Sequence, residues 1–300
     1  MLLVIITFFT SIQYVFLAGV PQSTSNLSFM FITSLVGFFI LFLIFINELF
    51  RIDKSHIWQS FILAIQIFAF NFFLLLGVDG IDTTVVSSIL SSYFVFIPMI
   101  EFIFYKNMPK INIIIAIIIS LSGVFMIIGF NAKEFLNVKI LFLILADIAM
   151  AIYVITTGKY AKNSNPAILS MGQLFFVAIF SFLGWSIENL IGHKSFSFPR
   201  EPLFWGSVIF ISLFIRVLYT IIQVYAQRYV SPINTSLVFA TEIVMTLFLS
   251  GLVSKFFGYV SDKTYISASK CIGALLMVIA IIICDDSVYD FIKRKLRIAK

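Results

Sequence analysis

Apolar positions in this chain come in long unbroken runs, separated by short stretches of turn residues or charge. Runs able to cross about 30 Å of hydrocarbon cover roughly 2–20, 28–47, 57–77, 83–105, 110–129, 138–158, 167–189, 203–226, 233–255 and 266–284. In lipid each backbone polar group must be satisfied within its own segment, so these runs predict helices rather than loops or open strands. The breaks carry turn chemistry: Pro21-Gln22-Ser23, Asp79-Gly80, Asn107-Met108-Pro109, Asn163-Ser164-Asn165-Pro166 and Ser231-Pro232. Trp58, Trp185 and Trp205 fall at predicted span ends, the level that amphipathic rings prefer. The first run has no basic residues ahead of it and outlasts a signal-peptide core, so it too is predicted to span.

Composition supports this pattern. The chain has 300 residues, 61% hydrophobic and 11% charged, against roughly 25% charged in soluble domains. The formal charge of +6 is no nucleic-acid footprint, because its densest cluster is the tail Lys293, Arg294, Lys295, Arg297 and Lys300. A basic run after an apolar segment reads as a cytoplasmic end, with anionic lipid binding as a second use. Lys and Arg in the connections favour both termini inside, about 12 against 7. Cys271 and Cys284 share one segment, and His56 and His193 lie in separate polar connections, so no disulfide or metal site is expected. There is also no Gly-rich phosphate loop. The expectation is therefore no enzyme and no cofactor. A structural or signalling membrane protein is the alternative to a carrier, in a plasma or bacterial inner membrane.

The chain carries a weak internal repeat. Gly80-Ile81-Asp82-Thr83-Thr84-Val85-Val86-Ser87-Ser88 opens segment 4, and Val230-Ser231-Pro232-Ile233-Asn234-Thr235-Ser236-Leu237-Val238 opens segment 9. Segments 5 and 10 each carry small residues seven apart, Ala116 with Gly123 and Gly273 with Ala280. These fit a packing or dimer face. The predicted fold is all-α, a polytopic membrane protein of ten transmembrane helices in a 5+5 inverted repeat. The first repeat takes 1–130, the second 131–285, and 286–300 forms a basic cytoplasmic tail. An odd number of spans per half inverts one half relative to the other, which in secondary transporters places the site near the midplane.

The stretch Gln227-Arg228-Tyr229-Val230-Ser231-Pro232, then Phe239-Ala240-Thr241-Glu242, then Ile272-Gly273-Ala274-Leu275-Leu276 resembles the second half of the EamA-type transporters of the drug/metabolite transporter superfamily. Gly77 to Gly129 is similar to the matching unit of the first half. The resemblance is sharpest from about Gln223 onward. It implies ten helices, a central cavity and alternating access for a small metabolite. The sequence departs from the family at Glu242-Ile243, where Glu-Pro is frequent, and at Lys106-Asn107 and Lys255-Phe256, where Gly-Glu is frequent. In the first helix, Ser11-Ile12-Gln13-Tyr14 stands where Trp-Gly is often seen.

Candidate chemistry centres on three ionisable residues roughly 13–20 Å deep at 1.5 Å per residue: Asp147, Arg216 and Glu242. Charge at that depth is costly and marks a polar pathway or a pair. Arg216 either binds an anionic group such as a carboxylate or phosphate, or pairs with Glu242 or Asp147. Tyr219 and Gln223 stand three and seven residues on and share its helical face. Glu242 either accepts a proton and couples transport to the proton gradient, or partners Thr241, Asn234 or Arg216. Asp147 either recognises a cationic group or hydrogen-bonds a neighbouring helix. Tyr93, Asn71, Gln13 and Tyr14 complete the expected substrate-binding set, with Gln66 and Gln173 as further cavity candidates. The serines of segment 4 read as packing residues and Pro98 as a hinge. The expected partners are a small-molecule metabolite and membrane lipid, with a homodimer as a further expectation.

Overall fold

The computed structural model describes residues 2–18, 20–21, 24–78, 80–81, 83–90, 92–106, 110–128, 137–192, 196–240, 242, 245, 249, 267–284 and 289. The side chains of Tyr14, Ser87, Ser88 and Asn234 lie outside that set, as do Ser91, Thr241 and the tail expected at 286–300, apart from Tyr289. Every element among the described residues is helical. The elements are α1 (Leu2–Ala18), α2 (Asn26–Ile44), a 3₁₀ turn (Ile46–Arg51), α3 (Lys54–Val78), α4 (Thr83–Leu90), α5 (Tyr93–Tyr105), α6 (Ile111–Ile128), α7 (Val138–Ala161), α8 (Pro166–Gly192), α9 (Pro202–Gln227), α10 (Pro232–Ala240) and α11 (Ala268–Cys284). Five of them, α2, α3, α7, α8 and α9, are long and apolar enough to cross a membrane, and shorter apolar helices accompany them.

The chain divides into two compact units. Unit 1 holds Met1–Leu75 and Tyr153–Ser231; unit 2 holds Leu76–Ile152 and Pro232–Lys300, the three boundaries falling within α3, within α7 and at the start of α10. Each unit thus draws on both proposed sequence halves.

In unit 1, α2 and α8 pack along their length. Leu27 lies against Gly184, the Phe31 ring against Trp185, Phe38 against Phe175, and Leu41 joins Met171 and Leu174 in one buried cluster. Contacts that climb along α2 while descending along α8 make the pair antiparallel. Helix association in lipid lacks the hydrophobic drive available in water and relies on close packing and small residues. Gly37 supplies such a site: a Cβ there would lie 2.8 Å from Arg216 Cβ and 3.3 Å from Leu174 Cδ1. Helix α1 pairs with α9 through stacked rings, Phe9 on Phe214 at 4.3 Å and Phe16 on Phe210 at 3.9 Å. These four half-buried rings therefore serve helix packing. The Ser207 hydroxyl donates to the Phe16 carbonyl at 2.8 Å and fastens the same contact.

The ends of these helices are capped. Ser25 precedes α2 and its hydroxyl donates to Glu188 near the end of α8. Asp53 accepts from the His56 amide at 2.8 Å at the start of α3, and that hydrogen bond is the main cause holding its carboxyl below the ordinary carboxylate range. Asn165 precedes Pro166, a residue suited to a first helical turn. Its Oδ1 accepts from the Ala167 amide at 3.0 Å, and its Nδ2 donates to Glu48 at 2.8 Å. Asn165→Ala is expected to cost about 1–2 kcal/mol, the usual value of a lost cap, read as a lower thermal midpoint of the purified protein.

In unit 2, α6 and α11 cross at their glycines. A Cβ at Gly273 would meet Gly123 O at 2.6 Å, and one at Gly123 would meet Gly273 O at 2.7 Å. Ala116 and Ala280 share a buried cluster with Phe94, Val95 and Ile113, so this pair is antiparallel as well. The small residues seven apart in segments 5 and 10 thus form a packing face within the chain.

One expected span differs in the structure. Segment 4 is not a single helix but α4 and α5, parted at Ser92. There the Ser92 amide and hydroxyl both turn to the Ile89 carbonyl, at 2.8 and 2.7 Å. A serine that offers its hydroxyl to a nearby carbonyl competes with the helical ladder. The turn tightens to i→i+3 spacing, repeated by the Val95 amide on Ser92 O at 2.9 Å. Pro98 sits inside α5, whose helix continues past it to Tyr105. The interruption therefore lies six residues before the expected hinge.

Candidate functional site

Helix α9 carries the most polar face of unit 1. Its middle, Ile211–Tyr219, is a π-helical stretch of nine residues containing Arg216. Such stretches are rare, and they occur frequently at functional sites. Ser212, Arg216, Thr220, Gln223 and Gln227 are all buried, whereas Tyr219 is only half-buried. The face expected from α-helical spacing is therefore shifted. Through the π stretch the buried polar positions fall four apart, so Thr220 takes the place expected of Tyr219, and the α-helical steps resume at Gln223. Ser212 and Gln227 extend the face beyond the expected set, and their spacing from Arg216 was open to view in the sequence.

Arg216 as a whole is 8% exposed. Its Nη1 donates to Asn71 Oδ1 at 3.3 Å, and Asn71 Nδ2 donates in turn to the Ile67 carbonyl at 2.6 Å. Asn71 is thus oriented as an acceptor, and the group that meets this buried cation is a neutral amide. Among the described residues Arg216 Nε has no hydrogen-bond partner, nor do either amide atom of Gln223 or of Gln227. Buried polar atoms are nearly always satisfied in folded proteins, so this face has donors and acceptors to offer a solute or water. Two other expected cavity residues are engaged through one amide atom each, while Gln173 Nε2 and Gln66 Oε1 have no partner among the described residues. Gln173 accepts from the Tyr153 hydroxyl at 3.2 Å, and Gln66 donates to Thr156 at 3.1 Å. Gln13 is half-buried on α1.

Unit 2 holds the carboxylates. Asp147, on α7, is fully buried. Its Oδ2, at 3.0 Å, shares the single Ser92 hydroxyl proton with the Ile89 carbonyl, while Oδ1 has no partner among the described residues. The bond reaches the break between α4 and α5, as the structural reading of Asp147 expects. Tyr93, the next residue after the break, is buried, and its hydroxyl lies within electrostatic reach of both Glu242 and Asp147. Glu242 itself is half-buried. The expected site residues therefore gather in two groups: Arg216, Asn71 and Gln223 in unit 1, and Asp147, Tyr93 and Glu242 in unit 2. Each group sits beside an irregular backbone, a π-helical stretch in one and a broken helix in the other. In transporters such interruptions occur where the backbone lines a polar cavity.

Residues 1–129 match the EamA-like transporter family, the family the sequence resembles, and that match points to a membrane transporter of the drug/metabolite transporter superfamily. It falls on the N-terminal stretch, whereas the resemblance read from motifs is sharpest after Gln223. No curated protein matches the chain. Among solved structures, the crystal structure of a protein superposes with a TM-score of 0.67 at 13% identity, covering 98% of this chain and 97% of that one. The two share a fold.

Proposed function

We propose, from the EamA-like match of residues 1–129 and the two polar groups, that this protein is a secondary carrier. It moves a small polar metabolite across a membrane by alternating access, and its ten helices form a 5+5 inverted repeat. The packing supports the repeat. Segments 2 and 7 (α2 and α8) and segments 5 and 10 (α6 and α11) occupy matching places in the two halves. Each pair packs antiparallel, as mates of opposite topology must. Segments 4 and 9 also meet, through α5 and α10. The family match ends at residue 129, beside the proposed boundary of the first repeat at 130.

The observation that carries the substrate class is Arg216. A buried guanidinium, bonded to a neutral amide and retaining an unpartnered donor, suits a carboxylate or phosphate on the metabolite. Gln223 supplies a neutral amide on the same face, with Tyr219 at its border. Unit 2 has binding residues of its own, Asp147 and Tyr93, with Asp147 taking a cationic group. Glu242 takes the proton that couples transport. The test is a thermal-shift screen of purified protein against carboxylate- and phosphate-bearing metabolites, since a bound substrate stabilises the folded state, followed by counterflow in liposomes. Failure of every such metabolite to move under any gradient would sink the proposal.

Proton coupling has its own signature. Glu242→Gln is expected to preserve exchange of labelled for unlabelled substrate and to abolish accumulation driven by an imposed pH gradient. Equal loss of both activities, or of neither, would remove Glu242 from the coupling step.

A further inference from the structure

The connections of unit 1 converge on a second site. A cavity of about 750 Å³ opens where the 3₁₀ turn, the start of α3, the α7–α8 turn and the end of α9 meet, within the size range of ligand pockets. Arg51, Lys162 and Arg228 line it, with Glu48 as the one acidic residue among its lining. That carboxylate is already engaged, by Arg51 Nη1 at 3.1 Å and by Asn165 Nδ2 at 2.8 Å. Lys162 and Arg228 are exposed and have no ion-pair partner among the described residues. His56 is held in place, its Nε2 accepting from the Asn165 amide at 3.4 Å and its Nδ1 facing Asp53 at 2.7 Å. The first residues of α8, a helix of 27 residues, form another wall, and the positive end of a helix dipole favours an anion there.

The rest of the lining is mixed: Asn163, Ser164 and Tyr225 are polar or amphipathic, and one part is apolar. Phe45, Ile168 and Ile221 form that part, and near Arg51 and His56 in sequence Phe50 and Trp58 expose 92% and 62% of their surface. Exposed aromatic rings at helix ends belong to the headgroup level of a bilayer. We propose that this cavity binds an anionic phospholipid. Lys162 and Arg228 hold its phosphate, Arg51 assists at the mouth, and the glycerol and first methylenes lie on Phe45, Ile168 and Ile221. A soluble phosphate compound would use the cations and leave the apolar wall without a role, so the lipid is the better occupant. The site is separate from Arg216 and does not depend on which metabolite is carried.

The full-length protein in neutral detergent provides the test. Phosphatidylglycerol is expected to raise its thermal midpoint, and phosphatidylcholine to leave it unmoved. The rise should disappear in Lys162→Gln/Arg228→Gln and persist in Lys139→Gln/Arg200→Gln, which removes the same charge elsewhere. Lys162→Gln alone, the milder variant, should at least halve it. An absent rise in the wild type, or an equal rise in both double variants, would overturn the site. A rise reproduced by millimolar inorganic phosphate and lost with Lys162 and Arg228 would overturn the lipid as occupant and assign the cations to a soluble phosphate ligand.

Discussion

Arg216→Met is expected to give a folded protein that no longer binds or carries its substrate. Two opposing terms keep the fold intact. Removing a buried guanidinium relieves its desolvation, a change that is often neutral or stabilising when an apolar side chain of similar length replaces the charge. Against this, Asn71 Oδ1 loses the donor it has at 3.3 Å, a cost of about 1–3 kcal/mol for a buried acceptor. The thermal midpoint of the unliganded protein should therefore move little. Binding should suffer far more, because truncating one member of a buried charged hydrogen bond costs about 2–5 kcal/mol, roughly 30-fold to several thousand-fold in affinity. The measurement is the substrate-induced thermal shift and counterflow of the variant beside the wild type. A variant that unfolds would make Arg216 a structural brace. One that folds and transports normally would remove Arg216 from the site.

Gly273→Val is expected to be the most damaging single change outside the polar groups. Its first side-chain carbon would stand 2.6 Å from Gly123 O and 2.6 Å from Ile127 Cγ1, with the Ile127 amide nitrogen at 3.2 Å. A side chain can rotate out of the way, but a carbonyl in the facing helix can yield only if the helix itself moves. Overpacking in a filled interior costs about 1–3 kcal/mol, and two backbone contacts put this site at or above the upper end. Gly206 in α9 is the internal comparison, because a Cβ there meets nothing within 4 Å. Gly206→Ala should be neutral or slightly stabilising, since alanine gives up less chain entropy on entering a helix than glycine does. Thermal midpoints of the two variants should differ by several degrees or more. Equal midpoints would show that α6 and α11 do not cross at their glycines.

Much of the helical layout was legible in the sequence because lipid imposes a length and an apolar composition on every segment. The runs at 28–47, 57–77, 138–158, 167–189 and 203–226 correspond to α2, α3, α7, α8 and α9. The small residues of segments 5 and 10 were legible as packing positions, and the structure shows them packed on each other. The break at Ser92 was not legible. Its apolar run has the length of one span, and whether a serine hydroxyl takes its own helix's carbonyl or leaves it alone is settled by surroundings such as Asp147, far away in sequence. The π-helical stretch was equally hidden, since periodicity can be read only by assuming a period. That assumption placed Tyr219 on the face where Thr220 lies. Pairing of the polar residues was beyond sequence reading for a similar reason: Gln173 and Asn71 look alike as lone amides in apolar runs, yet Tyr153 engages one and Arg216 the other.

The glycine crossing also has a consequence for how the protein is made. Gly123 and Gly273 lie 150 positions apart (273 − 123), and chains emerge from the ribosome at roughly 5–20 residues per second. Helix α6 therefore waits for several seconds or longer with its narrowest surface against acyl chains that cannot fill it. Helix α2 waits similarly for α8. A nascent chain halted near residue 130 would hold α1 to α6 and neither of these partners. Completion of the α6 packing depends on a helix synthesised much later, so a lesion late in the chain leaves α6 exposed to membrane quality control.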